Sequence, residues 1–389
     1  MEPFQLYTRL LDSLSRFTAP GNWKIKSVLL CLGVIFFFAL PSYDRFFNDS
    51  TNDYLHFWLH LSRQAAHPFT LQPGLDPISH EAKTAFRLVP PLTGALVAWL
   101  SPMGGLYLMF LVQHLLGVGF LYVLISLVYR LTGDRLTAVL TALAFSLIYL
   151  TRAFFYELYG LFDGYAYFFL LLAMAARTPA GFVAALFLAF WTDERAIIAS
   201  PLVLLFQLHT RVFPFTIPTL LAQWKWYVPY GLSAAAYLGI RIALEKYAGL
   251  FVPIGSGADA GLKLLLANFT SLPLATFLVF EGISFLILWL IFFFVKQKAW
   301  LEVLLTAGML AAVWVVSGCV WDFTRSGCYA FPVVLTALYF MGKYLPTAQV
   351  RAVLILALLL CVTIPTYKFQ GFYYWQVPAP VKLVYGLIR

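Results

Sequence analysis

The stretch LYLMFLVQHLLGVGFLYVLISLVY, residues 106–129, decides the fold class. It contains no charged residue, and its 24 positions exceed the roughly 20 apolar residues that a helix needs to cross a hydrocarbon core about 30 Å thick. The whole chain resembles this stretch, with 62% hydrophobic residues, 11% charged residues and a mean hydropathy of +0.83. Soluble domains average about 25% charged residues, so the composition predicts a membrane protein.

The 389 residues leave room for about ten to twelve membrane helices joined by short loops, and for no sizeable soluble domain. We therefore predict an all-α polytopic membrane protein with a single transmembrane domain over residues 1–389. The apolar runs predict about 11 transmembrane helices, at 27–43, 106–129, 136–150, 164–176, 180–191, 197–208, 227–244, 274–295, 300–318, 329–340 and 352–365.

Charge patterning predicts the orientation. Basic residues recur at every second loop, as cytoplasmic loops of membrane proteins do, while the intervening loops hold nearly all the acids. The net charge of +9 is thus spread over short loops and does not indicate nucleic-acid binding. The pattern places the N-terminus in the cytoplasm, the C-terminus outside and residues 42–102 in the first outer, extracytoplasmic loop.

This outer loop predicts two helices at the membrane surface. Asp49 or Ser50 can cap a helix that runs to about Gln64, whose apolar side chains would form one face. Residues 86–101 are also apolar, but a further crossing here would invert every later loop against the basic residues. We interpret them as a second helix at the outer face, with Pro90 and Pro91 in its first turn.

Asp53, His56 and His60 fall on one face of the first of these helices, because separations of three and four residues project the same way. A His-x-x-x-His pair with a nearby carboxylate can hold a divalent metal ion. Histidines at the polar edge of an interfacial helix are more often solvated or hydrogen-bonded. The sequence favours the second interpretation and keeps a metal site at His56 and His60 as the alternative.

The chain resembles the GT-C class of polytopic glycosyltransferases. The resemblance rests on short motifs spread over most of the chain: the acidic loop and surface helix after the first span, R-x-x-P-P-L at 87–92, R-L-T-G-D-R at 130–135, F-D-G-Y at 162–165, T-D-E-R at 192–195, and D-F-T-R at 322–325 with F-P at 331–332. It implies the all-α transmembrane fold with juxtamembrane helices in the first outer loop.

The resemblance also implies a reaction. Members of the class transfer a sugar from a polyprenyl phosphate or pyrophosphate carrier on the non-cytoplasmic side, with an acidic residue of the first outer loop acting on the acceptor. Asp44 directly follows the first span, and Asp53 precedes a tyrosine, so both are candidate bases. The class thereby predicts a hexosyl or pentosyl transferase of a plasma or bacterial inner membrane.

A departing lipid phosphate needs positive charge at the outer face. Arg87, Arg195 and Arg325 are our candidate phosphate ligands, since a guanidinium suits phosphate oxygens. Arg195 and Arg325 also lie beside acids, so structural ion pairs are an equally open interpretation. Further candidate site residues are the acids Asp163, Glu194, Glu281 and Asp322.

Three functions remain open at this point. The first is the lipid-linked sugar transferase, with a polyprenyl-linked sugar and membrane lipid as partners and an unidentified acceptor. The second is a catalytically silent scaffold or assembly subunit of the same fold, working with a membrane-protein partner. The third is a transporter or flippase for a lipid-linked substrate, which would favour broken spans with acids near the membrane midplane.

Overall fold

The computed structural model describes residues 13, 15–19, 21–38, 55–70, 81, 84–250, 261–267, 269–363, 366–369, 372–375, 378–381 and 384. The architecture is predominantly helical, as the apolar periodicity predicts. The helices with described bounds in its first half are α1 (Trp23–Phe38), α2 (Leu55–Ala66), α3 (Val89–Ala98), α4 (Pro102–Thr132), α5 (Arg135–Leu147), α6 (Tyr149–Arg152), α7 (Asp163–Ala175), α8 (Pro179–Phe190) and α9 (Arg195–His209).

The second half continues in the same manner. Its helices are α10 (Ile217–Leu221), α11 (Trp224–Ala248), α12 (Leu262–Ala267), α13 (Leu272–Phe280), α14 (Ser284–Lys296), α15 (Trp300–Gly318), α16 (Phe323–Gly327), α17 (Phe331–Tyr344) and α18 (Thr347–Thr363). Short 3-10 turns cover Phe269–Ser271, Glu281–Ile283 and Cys328–Ala330.

The all-α prediction is confirmed for the bundle, to which the C-terminal tail adds one short hairpin. Thr366–Phe369 and Phe372–Trp375 form two antiparallel strands, with Thr366 opposite Trp375. Aromatic residues fit a half-buried pleated surface, which favours strands here.

Three stretches among the described residues are long and apolar enough to cross a membrane: Pro102–Thr132, Phe269–Lys296 and Trp300–Gly318. Six further apolar helices have 10–17 residues. The predicted positions of the apolar helices are confirmed, whereas the number of eleven crossings stays a prediction.

Helix α5 forms the centre of the core. Every residue from Leu136 to Leu147 is buried, so this helix is surrounded by protein. The longer helix α4 packs one side against it and leaves Tyr107, Leu111, Leu115 and Tyr122 exposed at helical spacing. An apolar face of this kind suits contact with lipid.

The predicted transmembrane helix at 274–295 is interrupted. Helix α13 ends at Phe280, and Glu281 adopts a left-handed backbone (φ 48°) before α14 begins at Ser284. Helix α18 packs into this break, because a Cβ atom on Gly282 would lie 2.3 Å from the carbonyl oxygen of Ala357. Glycine is therefore required where the two segments meet.

Helix α2 is docked more closely than an interfacial helix would be. Trp58 and Leu61 are buried against α4 and the residues that begin α7, and the indole of Trp58 donates to the carbonyl oxygen of Leu158 (2.9 Å). The prediction that His60 lies at a polar edge is wrong, because only 8% of it is exposed, while the predicted apolar residue Leu59 is 39% exposed. Because α2 packs against α3 and α4, its buried face differs from the apolar face that the sequence pattern predicts.

Helix α7 defines two ends of the bundle. At the Ala175 end, the guanidinium of Arg130 donates to the carbonyl oxygen of Ala175 (3.0 and 3.1 Å), and Asp134 pairs with Arg351 (2.6 Å). The Asp163 end gathers acids from several loops. Most of these acids are paired with arginines of the same end, so both ends carry both signs of charge.

Candidate functional site

The three arginines predicted to bind phosphate meet at the Asp163 end. Arg87 precedes α3, Arg195 begins α9, and Arg325 lies in the short helix α16. Their carboxylate partners are Asp163, Asp193, Glu194 and Asp322. We call these seven residues the buried ion cluster.

Asp163 links two of the arginines. Its side chain is fully buried at the start of α7; one carboxylate oxygen accepts from Nη2 of Arg195, and the other lies 2.8 Å from Nε of Arg325. Phe162, just before it, has a left-handed backbone (φ 55°), which sets the direction in which α7 leaves the loop. A single carboxylate thereby ties α7 to both α9 and α16.

Asp193 forms the second centre of the cluster. One carboxylate oxygen accepts from Nε and the backbone N–H of Arg195 (both 2.8 Å), the other from Nη2 (2.6 Å), and Arg87 Nη2 lies 3.1 Å away. Burial alone would raise the pKa of Asp193, but the charges of Arg195 and Arg87 outweigh it and hold that pKa well below its usual range. Asp193 is therefore ionised.

Arg87 and Glu194 form the rim of the cluster. The Arg87 side chain is 12% exposed, donates from Nη1 to the carbonyl oxygen of Leu161 (3.2 Å), and places Nε 3.7 Å from the Glu194 carboxylate. The Glu194 side chain is 37% exposed, which makes it the most exposed of the four carboxylates. Asp322 caps α16 by accepting the backbone N–H of Arg325 (3.2 Å) and lies 3.9 Å from its Nε.

Uncharged neighbours complete the cluster, and the sequence reasoning missed them. Ser326 accepts from Arg195 Nη1 (2.7 Å), and the ring centroid of Tyr329 lies 5.0 Å from the Arg195 guanidinium. The hydroxyl of Tyr167 donates to the carbonyl oxygen of Arg325 (2.6 Å). Ser326 directly follows D-F-T-R, so its position beside that motif is the one signal that could have identified it.

Glu157 is a further buried acid beside the cluster. One of its carboxylate oxygens accepts the backbone N–H groups of Leu161 and Phe162 (both 3.2 Å) in the loop before α7. Burial, followed by the negative charge of Asp163, raises the pKa of Glu157 to about 7. This carboxyl therefore titrates near neutral pH, unlike Asp193.

Glu281, one of our further candidate acids, is 1% exposed at the break between α13 and α14. It lies within electrostatic range of Arg152 and Cys328, and Cys328 in turn lies within range of Asp163 and Asp322. The break is therefore a neighbour of the buried ion cluster.

The other predicted residues are not brought into this site by the described structure. Asp44 and Asp53 lie outside the described residues, as does the side chain of His56. Among the residues that the structure describes, no group of three or more His, Cys, Asp or Glu side chains could hold a metal ion. A metal at His56 and His60 stays a prediction.

The cluster is chemically balanced rather than strongly positive. Three guanidinium groups face four carboxylates, and each arginine contacts at least one of them. Such an arrangement holds helix ends together and fixes the orientation of the planar guanidinium groups. A phosphate that binds there has to replace a carboxylate, most easily Glu194 at the rim.

Comparisons with known protein-family models, curated proteins and solved structures found no match for this chain.

Proposed function

We propose that this protein is a GT-C-like membrane glycosyltransferase that moves a sugar from a polyprenyl phosphate or pyrophosphate carrier to an acceptor at the Asp163 end of the bundle. The observation that supports this best is the meeting of Arg87, Arg195 and Arg325 with the fully buried carboxylates of Asp163 and Asp193 at one end of an apolar protein. Ionisable groups in such surroundings are costly and mark functional sites by default.

The proposed chemistry uses two groups. A carboxylate of the first outer loop, Asp44 or Asp53, accepts the proton of the acceptor hydroxyl as it attacks the sugar carbon, and the bond from that carbon to the carrier oxygen breaks. The arginines offset the charge that develops on the departing phosphate. Arg87 is the most accessible of the three, because its neighbour Glu194 is partly exposed.

A transfer assay with a polyprenyl-linked sugar tests the proposal. We expect Asp44→Asn or Asp53→Asn to lower turnover by about 10²–10⁴-fold, the usual contribution of a general base, without changing the thermal unfolding midpoint. Asp76→Asn, elsewhere in the same loop, is the matched control and should keep full turnover. Full turnover in both of the first two variants would show that neither aspartate is the base.

The proposal places the Asp163 end on the non-cytoplasmic side of a plasma or inner membrane. Trp321 and Lys298 are exposed residues that flank the two ends of α15. In a chain with Cys319→Ser, an impermeant thiol reagent applied from outside intact cells should label Trp321→Cys and spare Lys298→Cys. The reverse labelling pattern would overturn the orientation.

A catalytically silent scaffold of the same fold is the second candidate, favoured by the carboxylate partners that all three arginines already have. Arg325→Lys separates the two functions. A donor role predicts about tenfold weaker binding of a polyprenyl phosphate, equal to about 1.4 kcal/mol, with little change in ligand-free stability. A scaffold role predicts unchanged lipid binding and a lower unfolding midpoint.

A further inference from the structure

Arg152 differs from the arginines of the buried ion cluster. It ends the short helix α6, only 2% of it is exposed, and within the described part of the chain its Nε and Nη2 atoms have no hydrogen-bond acceptor. These two nitrogens lie on the same edge of the guanidinium group, the edge that takes two oxygens side by side. A buried charge without hydrogen bonds costs several kcal/mol.

The other arginines at this end have their partners. Arg195 and Arg325 contact Asp163, Arg87 contacts Asp193, and Arg241 donates to the Tyr237 hydroxyl (3.0 Å). Arg241 also lies over the ring of Phe86, 4.4 Å from its centroid. Among these five arginines, Arg152 is therefore the one whose buried Nε and Nη2 edge has neither a hydrogen-bond acceptor nor a salt bridge among the described residues.

Arg152 lies beside the buried ion cluster and beside the break between α13 and α14. Helix α6 contacts α16, which carries Arg325, and the charges of Arg152 and Glu281 attract each other. Glu281 lies at the break between α13 and α14, where its left-handed backbone is maintained by the close packing of Gly282 on α18. Strained backbone beside a buried charge is characteristic of binding sites.

We propose that Arg152 binds the phosphate group of the substrate through its Nε and Nη2 atoms. A phosphate presents two oxygens to this edge and forms charge-assisted hydrogen bonds, about twice as strong as neutral ones. The ligand also adds negative charge to that of Glu281 beside the buried guanidinium. Identification of this phosphate as that of the lipid-linked sugar donor rests on the proposed function; the phosphate site itself does not.

The test is a titration of the purified full chain in detergent with a polyprenyl monophosphate. We expect the wild type to bind it, and Arg152→Gln and Arg152→Lys each to bind at least tenfold more weakly. Glutamine removes the positive charge. Lysine keeps the charge but lacks the planar guanidinium that can bind two phosphate oxygens at once. The unfolding midpoint without ligand should stay close to that of the wild type in Arg152→Gln, because the removal of an unsatisfied buried charge offsets the lost attraction to Glu281.

Arg241→Gln is the matched control and should bind the lipid as the wild type does. Inorganic phosphate is titrated in parallel to identify the source of the ligand. Competition by inorganic phosphate indicates that the phosphate group suffices, and its failure to compete indicates that the prenyl chain is also recognised. Either result supports the phosphate site, provided that lipid binding is lost in the Arg152 variants.

Two results would overturn the inference. One is a wild type that does not bind polyprenyl monophosphate. The other is normal binding by the Arg152 variants with a lowered ligand-free midpoint, which would make Arg152 a structural partner of Glu281. If Arg152→Gln does not fold, Arg152→Lys decides alone. Arg152-dependent binding without any sugar transfer would contradict the proposed enzyme and leave the phosphate site in place.

Discussion

The two ends of the bundle both carry ion pairs, yet the pairs lie in different surroundings. At the Asp163 end, the Asp163 and Asp193 side chains are 0% exposed and each contacts two arginines. At the Ala175 end, Asp134 and Arg351 are 16% and 30% exposed, and Asp134 also caps α5 by accepting the backbone N–H of Thr137 (2.8 Å).

The difference teaches that similar contacts contribute differently to stability. An ion pair near solvent contributes about 0–1 kcal/mol, because water and salt screen it. Removal of one partner from a buried pair costs about 3–5 kcal/mol, since the remaining charge cannot be solvated. The arginines of the Asp163 end are therefore dependent on their carboxylates in a way that Arg351 is not.

The largest expected effect is that of Asp163→Asn. It removes the charge that faces both Arg195 and Arg325, so we expect the free energy of unfolding to fall by about 3–5 kcal/mol. Denaturant unfolding in detergent measures it. Asp163→Asn combined with Arg325→Gln should regain part of the loss, because one unpaired charge is then gone. A loss below about 1 kcal/mol in the single variant would contradict the contrast between the two ends.

The two ends should also respond to pH in opposite directions. Glu157 has a pKa raised to about 7, so its folded-state stabilisation is present below its ordinary pKa of 4.5 and is lost as pH rises through about 7. Burial raises the pKa of Asp134, but hydrogen bonds from Arg351 and Thr137 lower it overall. Its contribution is present above its ordinary pKa and is lost as pH falls.

We therefore expect Glu157→Gln to gain stability relative to the wild type between pH 5 and pH 8, by up to about 3 kcal/mol. Thermal unfolding of both proteins at the two pH values measures this. Asp134→Asn is the control from the other end and should show no such gain over this range. A difference between Glu157→Gln and wild type that is independent of pH would show that Glu157 does not titrate there.

The smallest expected effect is that of Arg351→Ala. The Asp134–Arg351 pair is partly exposed, so the free energy of unfolding should fall by about 0.5–1 kcal/mol and the difference should shrink as salt is added. Unfolding at low and high ionic strength measures both quantities. A loss above about 2 kcal/mol would mean that this pair is as strongly coupled as the buried ion cluster.

Much of the helical architecture could be predicted from the sequence. Long apolar runs predict helix positions to within a few residues, as at Trp300–Gly318. The reason is that the burial of apolar side chains determines where a helix lies in the sequence. The interruption at Glu281–Ile283 was missed, although an acid followed by glycine inside an apolar run is a signal for it. The tail strands were missed as well, where glutamine and glycine separate two aromatic segments.

The sequence predicted which arginines and acids belong to the candidate site, but it did not predict which of them contact each other. Loop position identified Arg87, Arg195 and Arg325, since acids and arginines of alternate loops meet at one end. Which carboxylate contacts which arginine depends on helix packing, and Asp163 and Ser326 are separated from Arg195 by 32 and 131 positions. Single-sequence patterns contain no information on such distant pairs.

The unequal helix lengths have a consequence for the lipid around this protein. The 13 residues of α5 rise about 20 Å and the 31 residues of α4 about 46 Å, whereas a hydrocarbon core is about 30 Å thick. The short helix is enclosed by protein and need not match the bilayer, which adapts to the longer outer helices. Under the proposed function, loops at the ends of α5 that are recessed below the headgroups would let a prenyl chain remain in the acyl layer while its phosphate reaches the charged residues without leaving the membrane.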